Sequence, residues 1–99
     1  MKAGITGLRK MAIAAELFGQ DLEIHGTLTP LLDVANLHVS GATRNSRFAE
    51  VFWEPYFRFG LKGEPLLPDA DGYLTVPAKP GLGVDLDWDW IDDHTIEEL

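Results

Sequence analysis

The sequence predicts an α/β fold built from consecutive parallel strand–helix units. Three observations lead there. Two segments of helical periodicity alternate with short β-type runs over the first half of the chain. Glycine and proline stand where those helices would stop and start. A Pro- and Gly-rich stretch after Glu54 then breaks the alternation. The order strand, helix, strand, helix, strand is that of βαβ units wound right-handed onto one sheet.

Ala3 to Thr6 reads as the end of a strand entering a helix, with Thr6 placed to accept from a free first-turn N–H. Leu8, Met11, Ala12, Ala15 and Phe18 recur at helical spacing, with Arg9, Lys10 and Glu16 off that stripe. Gly19 supplies a stop that tolerates positive φ. Leu22 to His25 alternates weakly and reads as the second strand. Thr29 followed by Pro30 marks a second helix start, running from Leu31 to Val39 with Gly41 as its stop. Phe48 to Phe52 is the third strand. The tail carries Pro55, Pro65, Pro68, Pro77 and Pro80 among its glycines. Within it, Asp71-Gly72 predicts a hairpin turn between Leu66-Leu67 and Tyr73–Val76. Val84 to Trp88 alternates as a last short strand, and the acidic Asp92–Leu99 end is expected to fray.

Composition narrows the function classes. At 99 residues the chain can bury one modest core, and 45% hydrophobic content with three Trp and five Phe excludes a disordered chain. A net charge of -8 speaks against a nucleic-acid partner, which needs stripes of Lys and Arg. No basic amphipathic face is present for a membrane, and no apolar run is long enough to span one. Met1–Gly7 lacks the apolar centre of a signal peptide, so a cytoplasmic location is expected. With no cysteine, disulfides and thiolate metal sites are excluded within this sequence. Three parallel strands with two crossover helices leave sheet faces and edges unpaired. The chain is therefore expected to be a fragment that joins the rest of a barrel or forms a homo-oligomer.

His25 and Glu50 fall at the ends of the second and third strands, where parallel barrels carry their reactive groups. Gly26 would let a ligand approach the backbone beside His25, and an imidazole moves protons near neutral pH. On spacing alone a single histidine there is more often structural, and Glu50 reads equally as a solvated carboxylate. His38 and His94 give no metal spacing with His25. The run Asp85, Asp87, Asp89, Asp92, Asp93 lacks the glycine and terminal glutamate of a calcium loop and reads as solvated acid. Trp53, Tyr56, Phe57 and Phe59, beside Glu54 and Arg58, form an aromatic cluster suited to packing, and Trp88 and Trp90 are expected to pack alike.

Five segments in order carry a resemblance: Lys2-Ala-Gly-Ile-Thr-Gly-Leu-Arg-Lys10, Ile24-His25-Gly26, Ala35-Asn36-Leu37-His38, Phe48-Ala49-Glu50, and Pro80-Gly-Leu-Gly-Val-Asp-Leu86. Together they are similar to the last quarter of the mandelate racemase and acid-sugar dehydratase branch of the enolase superfamily. Ala3 replaces the first glycine of that family's usual Gly-Gly-Ile-Thr turn. The resemblance implies the end of a TIM-type (β/α) barrel: residues 1–54 would be its final βαβαβ segment. Residues 55–99 would be an irregular tail packing on the capping domain.

The same resemblance implies roles. His25 resembles the base that removes the proton α to a carboxylate, and in dehydratases it can protonate the departing hydroxyl. Glu50 resembles the carboxyl that hydrogen-bonds the substrate carboxylate, for which it must carry a proton. An enediolate concentrates negative charge on two oxygens, so a metal ion and a donor must stabilise it. The family's metal is Mg²⁺, whose ligands lie on the third to fifth barrel strands, upstream of this chain. The aspartate that orients the histidine also lies upstream, and without it this chain alone would be inert. Lys2 stands where the racemase branch also carries a lysine. The implied activity is dehydration of an acid sugar or another carboxylate substrate. A racemase or epimerase, or a non-catalytic remnant that only self-assembles, are the rival readings.

Overall fold

Described in the computed structural model are residues 4–27, 29–52 and 59–97. The strand end before Gly4, and Trp53, Glu54, Tyr56, Phe57 and Arg58 of the aromatic cluster, lie outside the described residues.

Helix α1 spans Gly4–Leu17 and is entered through Gly4 at φ 58°. It begins two positions ahead of the predicted cap, so Thr6 lies inside the helix and cannot cap it. The stop at Gly19 is as read: Gly19 takes φ 66°, its N–H bonds the Glu16 carbonyl, and the Gln20 N–H bonds that of Ala15. This pair of bonds around a left-handed glycine is a Schellman closure. Of the predicted apolar stripe only Leu8 and Ala12 are buried, while Met11 and Phe18 are exposed. Helix α2, Pro30–Gly41, covers just one side of α1.

Thr29 precedes α2 in extended conformation, and Pro30 opens the helix where its missing N–H costs nothing. The Thr29 hydroxyl makes no capping bond and lies instead 3.1 Å from the Thr27 hydroxyl. Val34, Leu37 and Val39 turn inward. Leu8, Ile24 and Val39 form one buried cluster, against which Leu22 packs. Asn45 fastens α1 to the chain beyond α2, its amide donating to the carbonyls of Ala12 (3.1 Å) and Gln20 (2.9 Å).

The predicted strands require correction. Residues 20–27 and 44–52 run side by side in one direction, since Leu22 faces Asn45 and Gly26 faces Glu50. Yet among the described residues they form no strand ladder, and the one backbone bond given between them is Leu22 N–H to the Asn45 carbonyl at 2.7 Å. The reason is competition for amides. The Gly26 N–H donates to the Glu50 side chain and the Thr27 N–H to the Asp33 side chain, so neither serves a ladder.

The tail also departs from expectation. The loop at Asp71-Gly72 closes on Asp69, whose Oδ1 accepts from the Asp71 and Tyr73 N–H groups and whose own N–H meets the Tyr73 carbonyl. Pairing therefore starts at Asp69–Tyr73, not across a two-residue turn. Leu86 pairs antiparallel with Leu61 in a single bridge. Helix α3, Trp88–His94, takes up residues read as strand and fraying end. Asp87 caps it by accepting from the Trp90 N–H at 3.2 Å. Phe59 stacks on Trp90 at 5.5 Å, whereas Trp88 stays exposed. No helix among the described residues is long and apolar enough to cross a membrane.

Candidate active site

His25 and Glu50 end neighbouring extended segments, and the parallel course of these brings the two side chains together. The imidazole Nδ1 lies 3.4 Å from Glu50 Oε2. They share one cleft of about 390 Å³ with Glu23, Ile24, Phe48 and Ala49. It is shallow and wet: the His25 side chain is 82% exposed and that of Glu50 49%. The Phe52 ring stands 6.4 Å from the imidazole, centre to centre.

Gly26 holds the pair. Its N–H donates to Glu50 Oε2 at 2.6 Å, and its carbonyl lies 2.5 Å from His25 Nδ1. A carbonyl can only accept, so Nδ1 donates to it, and in the neutral ring the lone pair is then on Nε2. A group with that tautomer can take a proton at Nε2. The sequence reading left room at Gly26 for a ligand, but the structure fills it otherwise. Gly26 is buried, and a Cβ there would lie 3.0 Å from Phe52 Cε2 and 3.2 Å from the Glu50 carbonyl oxygen. Gly26→Ala is thus expected to push 50–52 away and cost about 1–3 kcal/mol. Thermal melting checks the stability, and loss of the bond to Glu50 is checked by faster exchange of the amide at position 26 than in the parent.

Asp33 was not singled out in the sequence. It lies in the first turn of α2. In the fold it is buried, and Oδ1 accepts from the Thr27 N–H (2.7 Å) and the Thr27 hydroxyl (2.8 Å). Burial pushes the Asp33 carboxyl above its ordinary value, against the opposing pull of the Thr27 donors, and the nearby Glu50 charge adds to the rise.

The other histidines sit elsewhere. His38 Nε2 lies 3.0 Å from the Leu82 carbonyl and ties α2 to the tail. His94 stacks on Trp90 at 4.0 Å. In the acidic run, Asp85 pairs with Lys79 at 2.6 Å, whose hydrogen bond and charge hold that carboxyl below its ordinary value. Among the described residues, no group of three or more His, Asp or Glu side chains could hold a metal ion.

Comparison with known proteins gives this geometry a family. Residues 1–90 match the model of the enolase C-terminal domain-like family. A D-xylonate dehydratase of Haloferax volcanii is 30% identical over 99 residues, covering 95% of this chain and 23% of that protein. A D-mannonate dehydratase of Caulobacter vibrioides is 35% identical over 97 residues (92% and 23%). A D-galactonate dehydratase of Cronobacter sakazakii is 33% identical over 90 residues (85% and 24%). A crystal structure assigned to the mandelate racemase/muconate lactonizing enzymes, from Pseudovibrio sp., superposes with a TM-score of 0.83 at 33% identity, over 94% of this chain and 25% of that one. The chain spans about a quarter of the length of these relatives. With the family model covering nearly all of it, the chain belongs to the enolase C-terminal domain-like family of mandelate racemase/muconate lactonizing enzymes.

Proposed function

We propose that the protein carrying this chain is a cytoplasmic, Mg²⁺-dependent dehydratase of acid sugars, to which this chain contributes the general base. His25 Nε2 removes the proton α to the substrate carboxylate. The C–H electron pair moves onto the carboxylate as an enediolate and then expels the β-hydroxyl. The imidazolium returns its proton to that hydroxyl, and water leaves. Glu50 hydrogen-bonds the substrate carboxylate on the same rim. The observation that carries the reading is the contact of His25 Nδ1, 3.4 Å from Glu50 Oε2, with the Gly26 carbonyl, which leaves Nε2 as the acceptor of the neutral ring. The dehydratase relatives supply the substrate class.

Mg²⁺ enters through the family, where it provides positive charge for the enediolate oxygens. The described residues of this chain do not make a site for it. No step above is routed through it, and its ligands belong to the remainder of the barrel with which this chain would associate. A racemase or epimerase is the second reading, favoured by the family of the structural neighbour. Both begin with the same proton abstraction and differ in whether water is lost.

Screening the intact protein with Mg²⁺ against a library of acid sugars separates them. The expected result is a 2-keto-3-deoxy acid from at least one aldonate. Inversion of the α-carbon without loss of water would point to the epimerase. Absence of both, together with no α-proton exchange in D₂O, would refute the proposal.

A further inference from the structure

Asp33 makes its side-chain bonds in an unusual direction for a first-turn carboxylate. A capping group accepts from the free N–H groups of its own helix. Asp33 instead reaches back out of α2, and its Oδ1 takes both the N–H and the hydroxyl of Thr27, with the Asn36 amide at 3.5 Å as a third donor. Its own backbone N–H is already bonded to the Thr29 carbonyl at 3.1 Å. The side chain therefore serves the chain at Thr27 and not the helix end. Thr27 follows Gly26, which holds Glu50 through its N–H and His25 through its carbonyl. A continuous line of bonds runs from buried Asp33 to both members of the exposed pair.

We infer that Asp33 is a positioning residue for the candidate site: by anchoring Thr27 it fixes the Gly26 peptide groups, and so the placement of Glu50 and of the His25 ring beside it. This rests on the reading of His25 and Glu50 given above. Burying the carboxylate is costly unless donors meet it, so Thr27 and the acid stabilise one another.

The test compares Asp33→Ala with Asp33→Asn in the intact protein, because asparagine keeps an Oδ1 acceptor and alanine does not. Three quantities are read: amide hydrogen exchange, the ¹⁵N shifts of the His25 ring, and steady-state kinetics. Asp33→Ala should speed exchange at Gly26 and Thr27 by about tenfold or more while the Val34–Val39 amides change little. The His25 ring shifts should change as the Gly26 carbonyl moves away from Nδ1. Turnover should fall about 10²-fold at nearly constant KM, as for a misplaced reacting group. Asp33→Asn should recover most of each loss. If Asp33→Ala does not fold, Thr27→Val should give the same pattern more weakly, with Thr27→Ser as its rescue.

Unchanged exchange at Gly26 and Thr27 with unchanged His25 ring shifts would overturn the inference. So would equal loss of protection along α2, which would make Asp33 a purely structural group. If exchange and the ring shifts change as expected while neither Asp33→Ala nor His25→Asn alters turnover, the anchoring stands and the assignment of His25 as base fails.

Discussion

Replacing His25 with asparagine is expected to lower kcat for acid-sugar dehydration by about 10²–10⁴-fold, the usual contribution of a positioned base, with KM nearly unchanged. Asparagine can still donate a hydrogen bond to the Gly26 carbonyl, which His25 meets through Nδ1. It has no basic nitrogen to take the place of Nε2. Geometry at Gly26 is thereby conserved while the proton acceptor is removed. Exchange of the substrate's α-proton in D₂O measures this step without dependence on water loss, and it should disappear with turnover. Exchange persisting at the parent rate would show that another group abstracts the proton.

The second large effect is on stability. Gly83→Ala should destabilise the docked tail by about 3 kcal/mol, summing a left-handed penalty of about 1–2 kcal/mol and an overpacking cost of about 1–3 kcal/mol. Gly83 takes φ 75°, and a Cβ there would lie 2.6 Å from Pro77 Cβ and 3.0 Å from the Pro77 carbonyl carbon. Neither neighbour is the far end of a flexible side chain. Gly81 is the control, since it has φ 74° with nothing within 4 Å of its would-be Cβ. Gly81→Ala should show the conformational penalty alone. Thermal melting of the two variants isolates the steric part, and equal destabilisation would mean that the Pro77–Gly83 contact does not constrain the tail. Loosening it should also release the Leu82 carbonyl from His38.

What was legible in the sequence differs sharply between elements. Both long helices were readable, because a left-handed glycine at 19 and a Thr29-Pro30 start act within a few residues of themselves. Helix α3 was missed although its signal is local. Asp87 is a good cap residue, but the alternation of Val84 to Trp88 masked it. The strands were over-read for the opposite reason. Leu22–His25 and Phe48–Phe52 do lie side by side in the same direction, but the next amides, at Gly26 and Thr27, donate to the carboxylates of Glu50 and Asp33. The pairing of His25 with Glu50 came from family resemblance; spacing alone left each with an ordinary structural reading.

By itself, the sequence determined where helix α1 stops and where helix α2 starts, the apolar residues available for a core, and the family. Each of these depends on local backbone preference or on residue order. The tertiary structure alone decided which donors the carboxylates of Asp33 and Glu50 accept from. Those outcomes depend on burial and on competition for amide groups between residues up to 24 positions apart. No short window of sequence contains that competition, because it exists only once the fold brings Glu50 to Gly26 and Asp33 to Thr27.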